Sequence, residues 1–197
     1  ILEAERCLQC KDPKCIVGCP VSVNIPRFIE LLSQGKLPDA AHCLLSDNTL
    51  PSITGRVCPQ ETQCEIECIR GHKGLPVAIG YLERYVGDWA RGNSHRQTLE
   101  VAPPSGKKVA VVGSGPCGLT AAGELAKHGH HVTVYEALHQ PGGVLVYGIP
   151  EFRLPKKIVQ EEVARLHRAG VMIVCNTLIG RTYTVPELRA HFDAVFL

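Results

Sequence analysis

Aromatic side chains are scarce: Phe, Tyr and Trp make up 5% of the 197 residues. That leaves little material for a base-stacking platform. Charge of one sign is missing too, since 21 Lys and Arg face 19 Asp and Glu for a net +2. A nucleic-acid partner is therefore not expected. No apolar run reaches the roughly 18 residues a spanning helix needs, so no membrane span is expected. Ile1 to Arg6 lacks the charged-then-apolar pattern of an export signal. There is no initiator Met, and Phe192 to Leu197 reads as a strand cut short, so the chain is expected to be a stretch of a longer protein. Internal repeats and low-complexity segments are absent.

Cysteine is what the chain has in plenty: ten residues, eight of them among the first 68. A small secreted disulfide scaffold concentrates cysteine in the same way. Two further cysteines in the other half, the missing export signal and metal-like spacings favour a reduced, cytoplasmic setting.

The composition changes near residue 93. Short helices are expected before it, at about 26–34, 38–46 and 76–90, the last with Ile79, Leu82, Val86 and Trp89 at helical spacing. Asn93 to Gly106, with Pro103, Pro104, Ser105 and Gly106, reads as a linker. Beyond it, strands at 108–112 and 132–135 flank a helix at 119–128. A helix at 156–169 and strands near 171–174 and 194–197 follow. Strand alternating with helix indicates a doubly wound α/β fold.

The first cysteine run reads Cys7-Leu-Gln-Cys10, then Cys15 and Cys19-Pro20; the second reads Cys58-Pro59, Cys64, Cys68. Thiolates suit iron–sulfur clusters or zinc. Zinc knuckles repeat a two-residue gap, which occurs here only once. In bacterial ferredoxins the Cys-Pro cysteine ending a run serves the other cluster. On that logic Cys7, Cys10 and Cys15 hold one 4Fe–4S cluster and Cys68 completes it. Cys19 joins Cys58 and Cys64 on a second cluster, which then lacks one ligand. Cys43 is the nearby spare thiol, in the apolar stretch Ala40 to Leu45, where a buried structural role or ligation is open.

Residues 5–91 resemble the N-terminal iron–sulfur domain shared by glutamate synthase small subunits, large subunits of NADH-dependent reduced ferredoxin:NADP oxidoreductases and dihydropyrimidine dehydrogenases. The resemblance rests on Glu5-Arg6-Cys7-Leu-Gln-Cys10, Gly18-Cys19-Pro20-Val21, Thr54-Gly-Arg-Val-Cys58-Pro59 and Ile79-Gly80-Tyr-Leu-Glu83-Arg84-Tyr85. It implies that a side-chain oxygen supplies the odd ligand, and that oxygen falls on Glu83. The alternative for Glu83 is a solvated place on the helix flank.

Lys108 to Val112 runs into Gly113-Ser-Gly115-Pro116-Cys-Gly118, a Gly-x-Gly-x-x-Gly turn between strand and helix. The glycines allow the tight turn, the approach of a pyrophosphate and close helix packing. Glu136 ends the next strand, placed for ribose hydroxyls. The pattern alone does not choose NAD over FAD. The following segment, Gln140 to Pro155, resembles the flavin-side loop of the same family. That resemblance implies FAD, with Gly142 and Gly143 meeting the dinucleotide. Leu145, Gly148 and Ile149 fall on the loop near the isoalloxazine, and Arg153 is placed to face reduced flavin or to form a surface ion pair.

The expected architecture is α plus α/β: a helical two-cluster domain over 1–92, a linker over 93–106 and, over 107–197, part of a Rossmann-like FAD domain. The expected function is electron transfer between NAD(P)H and a partner subunit through FAD and two clusters. The partner would be a glutamate synthase large subunit or a ferredoxin-linked flavoprotein subunit. NAD(P)H binding is expected only in the full-length protein, and this stretch alone is expected to be inactive and to hold FAD weakly. The competing class is a zinc-binding interaction module on a Rossmann scaffold. A pyrimidine-reducing role would call for a further barrel domain, for which nothing in the stretch speaks.

Overall fold

The computed structural model describes residues 1–93 and 99–197. The chain divides into two compact units, Ile1–Gln97 and Thr98–Leu197. Residues 94–98 of the expected linker lie outside the described residues.

The first unit is helical: α1 (Leu2–Glu5), α2 (Lys14–Val17), α3 (Ile25–Ser33), α4 (Leu37–Asp47), α5 (Pro51–Val57) and α6 (Ile79–Gly92), with 3-10 turns at Gln60–Thr62 and Ile69–Lys73. Proline stands in the first turn of α3, α4 and α5, where its missing N–H costs nothing. The Asn24 side chain caps α3 by accepting from Arg27 N. Phe28 and Ile29 of α3, Leu44 of α4 and Val86 of α6 are fully buried at the centre of one apolar core.

Helix α6 starts at Ile79 rather than near Pro76. The preceding residues are tied to the N-terminal segment instead. The Arg6 guanidinium donates to Leu75 O and Pro76 O at 2.5 and 3.1 Å, and Ala78 N donates to Glu3 Oε1 at 2.9 Å. Helix α5 gives no signal in the sequence, because β-branched Ile53, Thr54 and Val57 and Gly55 are weak helix formers. It is held by α6. Ser52 Oγ donates to Gly87 O at 3.0 Å, and the buried Arg56 guanidinium grips both Asp88 oxygens at 2.7 Å. The two backbones touch: a Cβ on Gly55 would lie 2.6 Å from Arg84 N, and one on Gly87 2.9 Å from Ser52 N.

The second unit carries β1 (Lys108–Val112), α7 (Pro116–Lys127), β2 (His131–Tyr135), α8 (Val144–Tyr147), α9 (Lys156–Arg168), β3 (Met172–Val174), α10 (Val185–His191) and β4 (Ala194–Phe196). All pairings are parallel, in the order β3-β2-β1-β4. The chain moves outward from β1 to β3 and then returns to the other side of β1. With right-handed crossovers this makes β1/β4 the topological switch point, and ligands of such sheets bind at the carboxyl ends of the strands there. Val111, Val134, Leu119 and Leu166 are fully buried and fix the register. Among the described residues no helix is long and apolar enough to cross a membrane.

The α5–α6 contact yields a paired prediction. Gly55→Ala should destabilise the holoprotein by about 1–3 kcal/mol through overpacking. At Gly92 an added methyl meets no described heavy atom within 4 Å beyond its chain neighbours and its own helix backbone. Gly92→Ala should be neutral or stabilising by up to about 1 kcal/mol. Denaturant unfolding of both variants checks this, and equal effects would contradict the close helix contact.

Candidate functional site

Cys7, Cys10, Cys15 and Cys68 line one cavity of about 300 Å³ in the first unit. Gln9, in the left-handed region at φ 49°, turns the chain between the first two cysteines, and its side-chain amide donates to Pro26 O at 3.0 Å. Cys15 sits in α2, and Cys68 precedes the Ile69–Lys73 turn. Arg70 Nε donates to Arg6 O at 2.5 Å and so joins the two cysteine segments. Burial, followed by the neighbouring Cys7, Cys68 and Cys10, pushes the Cys15 thiol up to about 11. Burial chiefly raises Cys7 as well. Thiolates crowded this way call for a cationic partner.

Cys19, Cys58, Cys64 and Glu83 line a second cavity of about 110 Å³. Cys58 directly follows α5, and Glu83 stands on α6. The Glu83 side chain is buried at 9% exposure, so the solvated flank is not its place. Its Oε1 accepts from Asn48 Nδ2 at 2.8 Å and from Thr54 Oγ1 at 2.6 Å. Burial pushes its carboxyl up to about 7, against the pull of those two hydrogen bonds. Burial first, then the charges of Glu83 and Cys19, pushes Cys58 up to about 11. For Cys64 burial, Glu65, Glu83 and Cys19 push the thiol up to about 12.

Cys43 packs against the apolar core and lines neither cavity. No three of the described His, Cys, Asp and Glu side chains converge closely enough for a single metal ion. The donors surround spaces instead. A half-buried four-thiol set, and a three-thiol, one-carboxylate set in which Cys64 and Glu83 are buried, are soft donor groups that fit polynuclear clusters.

In the second unit Gly113, at φ 91°, makes the turn that leaves β1, and Gly113 N donates to Tyr135 O at 2.7 Å. Gly115 is the N-cap of α7 and Pro116 its first residue. A Cβ on Gly118 would fall 2.0 Å from Gly113 O, so the loop closes on its own helix only with glycine there. Gly142 and Gly143 are brought against this loop. Gly142 N donates to Ser114 Oγ at 3.0 Å, and a Cβ on Gly143 would lie 2.9 Å from Gly115 Cα.

Glu136 is 5% exposed, and its carboxylate already serves the loop. Oε2 accepts from Ser114 N at 2.9 Å and from Ser114 Oγ, and Oε1 accepts from Leu138 N at 2.8 Å. Burial works against its charge, yet these hydrogen bonds hold its carboxyl below the usual range. The backbone N–H of Ala137 adds to this hold.

Leu145 is buried in α8, and Gly148 and Ile149 follow it. Arg153 is exposed and enters no ion pair among the described residues.

Four residues that hold these sites went unnoticed in the sequence. Asn48, Thr54 and Ser114 brace the two acids. Lys156 Nζ donates to Leu145 O at 2.9 Å and to Ile149 O, fixing the segment after Gly143. Thr54 stands in a motif quoted above, which was a usable signal. Asn48 lies 35 residues from Glu83, and Ser114 fills a variable position of the glycine fingerprint, so neither carried one.

Comparison with known proteins finds similarity in both units. Residues 1–95 match the family model for dihydropyrimidine dehydrogenase domain II, 4Fe-4S cluster, and residues 111–149 match an NAD(P)-binding Rossmann-like domain. The glutamate synthase [NADPH] small chain of Azospirillum brasilense is 41% identical over 99% of this chain and 41% of its own length. The small chain of Bacillus subtilis is 39% identical over 99% of this chain and 41% of its own. The NAD-dependent dihydropyrimidine dehydrogenase subunit PreT of Escherichia coli K12 is 38% identical over 100% of this chain and 48% of its own. A looser structural likeness, with TM-score 0.42 at 26% identity, covers 48% of this chain and 22% of FprA, a Mycobacterium tuberculosis oxidoreductase. The chain spans about half or less of the length of the relatives it matches, and over nearly its whole length it is similar to glutamate synthase small chains and PreT subunits.

Proposed function

We propose that the protein is an electron-transfer oxidoreductase subunit, passing electrons between NAD(P)H and a partner redox subunit through FAD and two 4Fe–4S clusters. The observation that carries this reading is the sorting of seven cysteines and Glu83 into two cavities with four donors each. Cys7, Cys10, Cys15 and Cys68 would hold one cluster, and Cys19, Cys58, Cys64 and Glu83 the other. The chain's own part is to supply these anionic donors and to exclude water around them. When bound, a flavin takes electrons in pairs and releases them singly, which suits it to stand between a nicotinamide and a cluster.

In the second unit Gly113, Gly115 and Gly118 leave room for a pyrophosphate at the N-terminus of α7, where the helix dipole favours negative charge. Glu136, directly after β2, is placed for a ribose hydroxyl, and its negative charge disfavours a 2′-phosphate. FAD rather than NAD rests on the segment from Gly142 to Arg153, which Lys156 holds in place. The names of the relatives point to two partner classes, the large chain of a glutamate synthase and the other subunit of a pyrimidine dehydrogenase. A reduced cytoplasmic setting accords with free, cluster-ready thiols.

Anaerobically purified full-length protein should carry about eight irons and eight acid-labile sulfides per chain. Electron paramagnetic resonance after reduction should show two interacting clusters. Glu83→Ala should alter one of the two signals and leave the other. Zinc without sulfide would overturn the reading in favour of an interaction module.

The flavin call has its own test. Acid-released cofactor should run as FAD on chromatography. Gly143→Val places bulk 2.9 Å from Gly115 Cα at a positive φ. An overpacking cost of about 1–3 kcal/mol should weaken flavin retention by about 10- to 100-fold. Full FAD occupancy in that variant would remove this loop from the site.

A further inference from the structure

We propose that Asn48 and Thr54 are positioning residues: together they hold the Glu83 carboxylate by Oε1 alone, presenting Oε2 to the cavity of Cys19, Cys58 and Cys64 and thereby tuning the cluster bound there. The inference deepens the function proposed above and rests on Glu83 being a cluster donor.

The hydrogen bonding is one-sided. Both donors, Asn48 Nδ2 at 2.8 Å and Thr54 Oγ1 at 2.6 Å, converge on Oε1, and Oε2 accepts from no described residue. A glutamate kept only for packing would gain from using both oxygens, as Glu136 does in the second unit. Here a carboxylate buried to 9% exposure leaves one oxygen free on the wall of a thiol-lined cavity.

The protons can be counted. Asn48 Nδ2 has two hydrogens, one for Glu83 Oε1 and one for Thr54 Oγ1 at 2.8 Å. Thr54 therefore receives from Asn48 and has its single hydrogen for Glu83. The alternative acceptors, Leu50 O and Pro51 O, lie farther away at 3.1 and 3.4 Å. The shorter, charge-assisted bond takes it.

Both anchors are fixed in turn. Asn48 Oδ1 accepts from Leu50 N at 3.0 Å, and Thr54 O accepts from Gln60 Nε2 at 3.0 Å. The α4–α5 connection, α5 and α6 thus meet on one oxygen atom. A carboxylate fastened this way cannot swing to bind through both oxygens without losing two bonds. Hydrogen bonds to a ligand also draw charge away from it, which makes reduction of the attached cluster easier.

The test uses the full-length holoprotein and three variants, read by redox titration with paramagnetic resonance and by iron content. Thr54→Val keeps the shape and removes the hydroxyl. It should move the midpoint potential of one cluster downward and leave the other unchanged. Thr54→Ser restores the donor and should return the wild-type potential. Asn48→Asp keeps the acceptor for Leu50 N but places an acceptor against Glu83. It should weaken retention of one cluster against a chelator by about 10- to 100-fold, the usual cost of losing an outer-shell partner. It gives a second answer should Thr54→Val not accumulate. Unchanged potentials, signals and iron retention in Thr54→Val and Asn48→Asp would overturn the inference. If Glu83→Ala also leaves both signals unchanged, the donor role of Glu83 falls with it. If Glu83→Ala changes one signal, only the anchoring role falls.

Discussion

The contact between α5 and α6 is the constraint on which the first unit depends. At Gly55 and Gly87 the two helices meet with no side chain between them. The bidentate Arg56–Asp88 pair and the Ser52–Gly87 bond then fix their rotation. Only at that separation do Thr54 from α5 and Glu83 from α6 come within 2.6 Å. Cys58, one residue past the end of α5, is delivered to the same cavity. A helix pair spaced by ordinary side chains, about 8–10 Å between axes, would pull the acid away from the thiols. Packing in the core and placement of the donors are therefore one requirement.

Electrostatics adds a second constraint. Each cavity gathers groups that would be anions as ligands, and burial makes their ionisation costly, with Cys15 and Cys58 pushed up to about 11. Little in the unit offsets that charge: Arg70 is the cation acting on Cys7. A fold that gathers thiols so closely would be stabilised as an ionised set by a cation among them, and on the function proposed above binding that cation would be part of folding. The N-terminal stitching of Arg6 and Glu3 to residues 75–78 serves the same end, holding Cys7 near Cys68 across a large sequence separation.

Much of this was legible in the residues because the signals are local. The glycine turn lies between a β-branched strand and a helix, and the cysteine gaps encode which thiols share a wall. Glu83 was reachable only through the family resemblance, since one glutamate on an amphipathic helix looks like many others. Long-range polar contacts stayed hidden. Asn48 finds Glu83 across 35 positions, and Ser114 finds Glu136 across 22, distances at which composition and periodicity carry no information. Helix α5 escaped for a related reason: it exists because α6 packs on it, while its own propensities argue against a helix.

The two buried acids show how one local device is set to different tasks. Each has a hydroxyl neighbour, Thr54 for Glu83 and Ser114 for Glu136, with the hydrogen bond charge-assisted in both. Around Glu136 the bonds fall on both oxygens and come from Ser114 of the glycine loop and from the backbone N–H of Leu138. They keep its carboxyl below the usual range, so it is an anion that braces the glycine turn. Around Glu83 they fall on a single oxygen from side chains of separate elements, and burial prevails in pushing the carboxyl up to about 7. An acid so placed would be stabilised as an anion by a positive charge at its free oxygen. Hydrogen-bond distribution, more than burial alone, thus separates a carboxylate held on both oxygens from one that keeps an oxygen for the donor role proposed above.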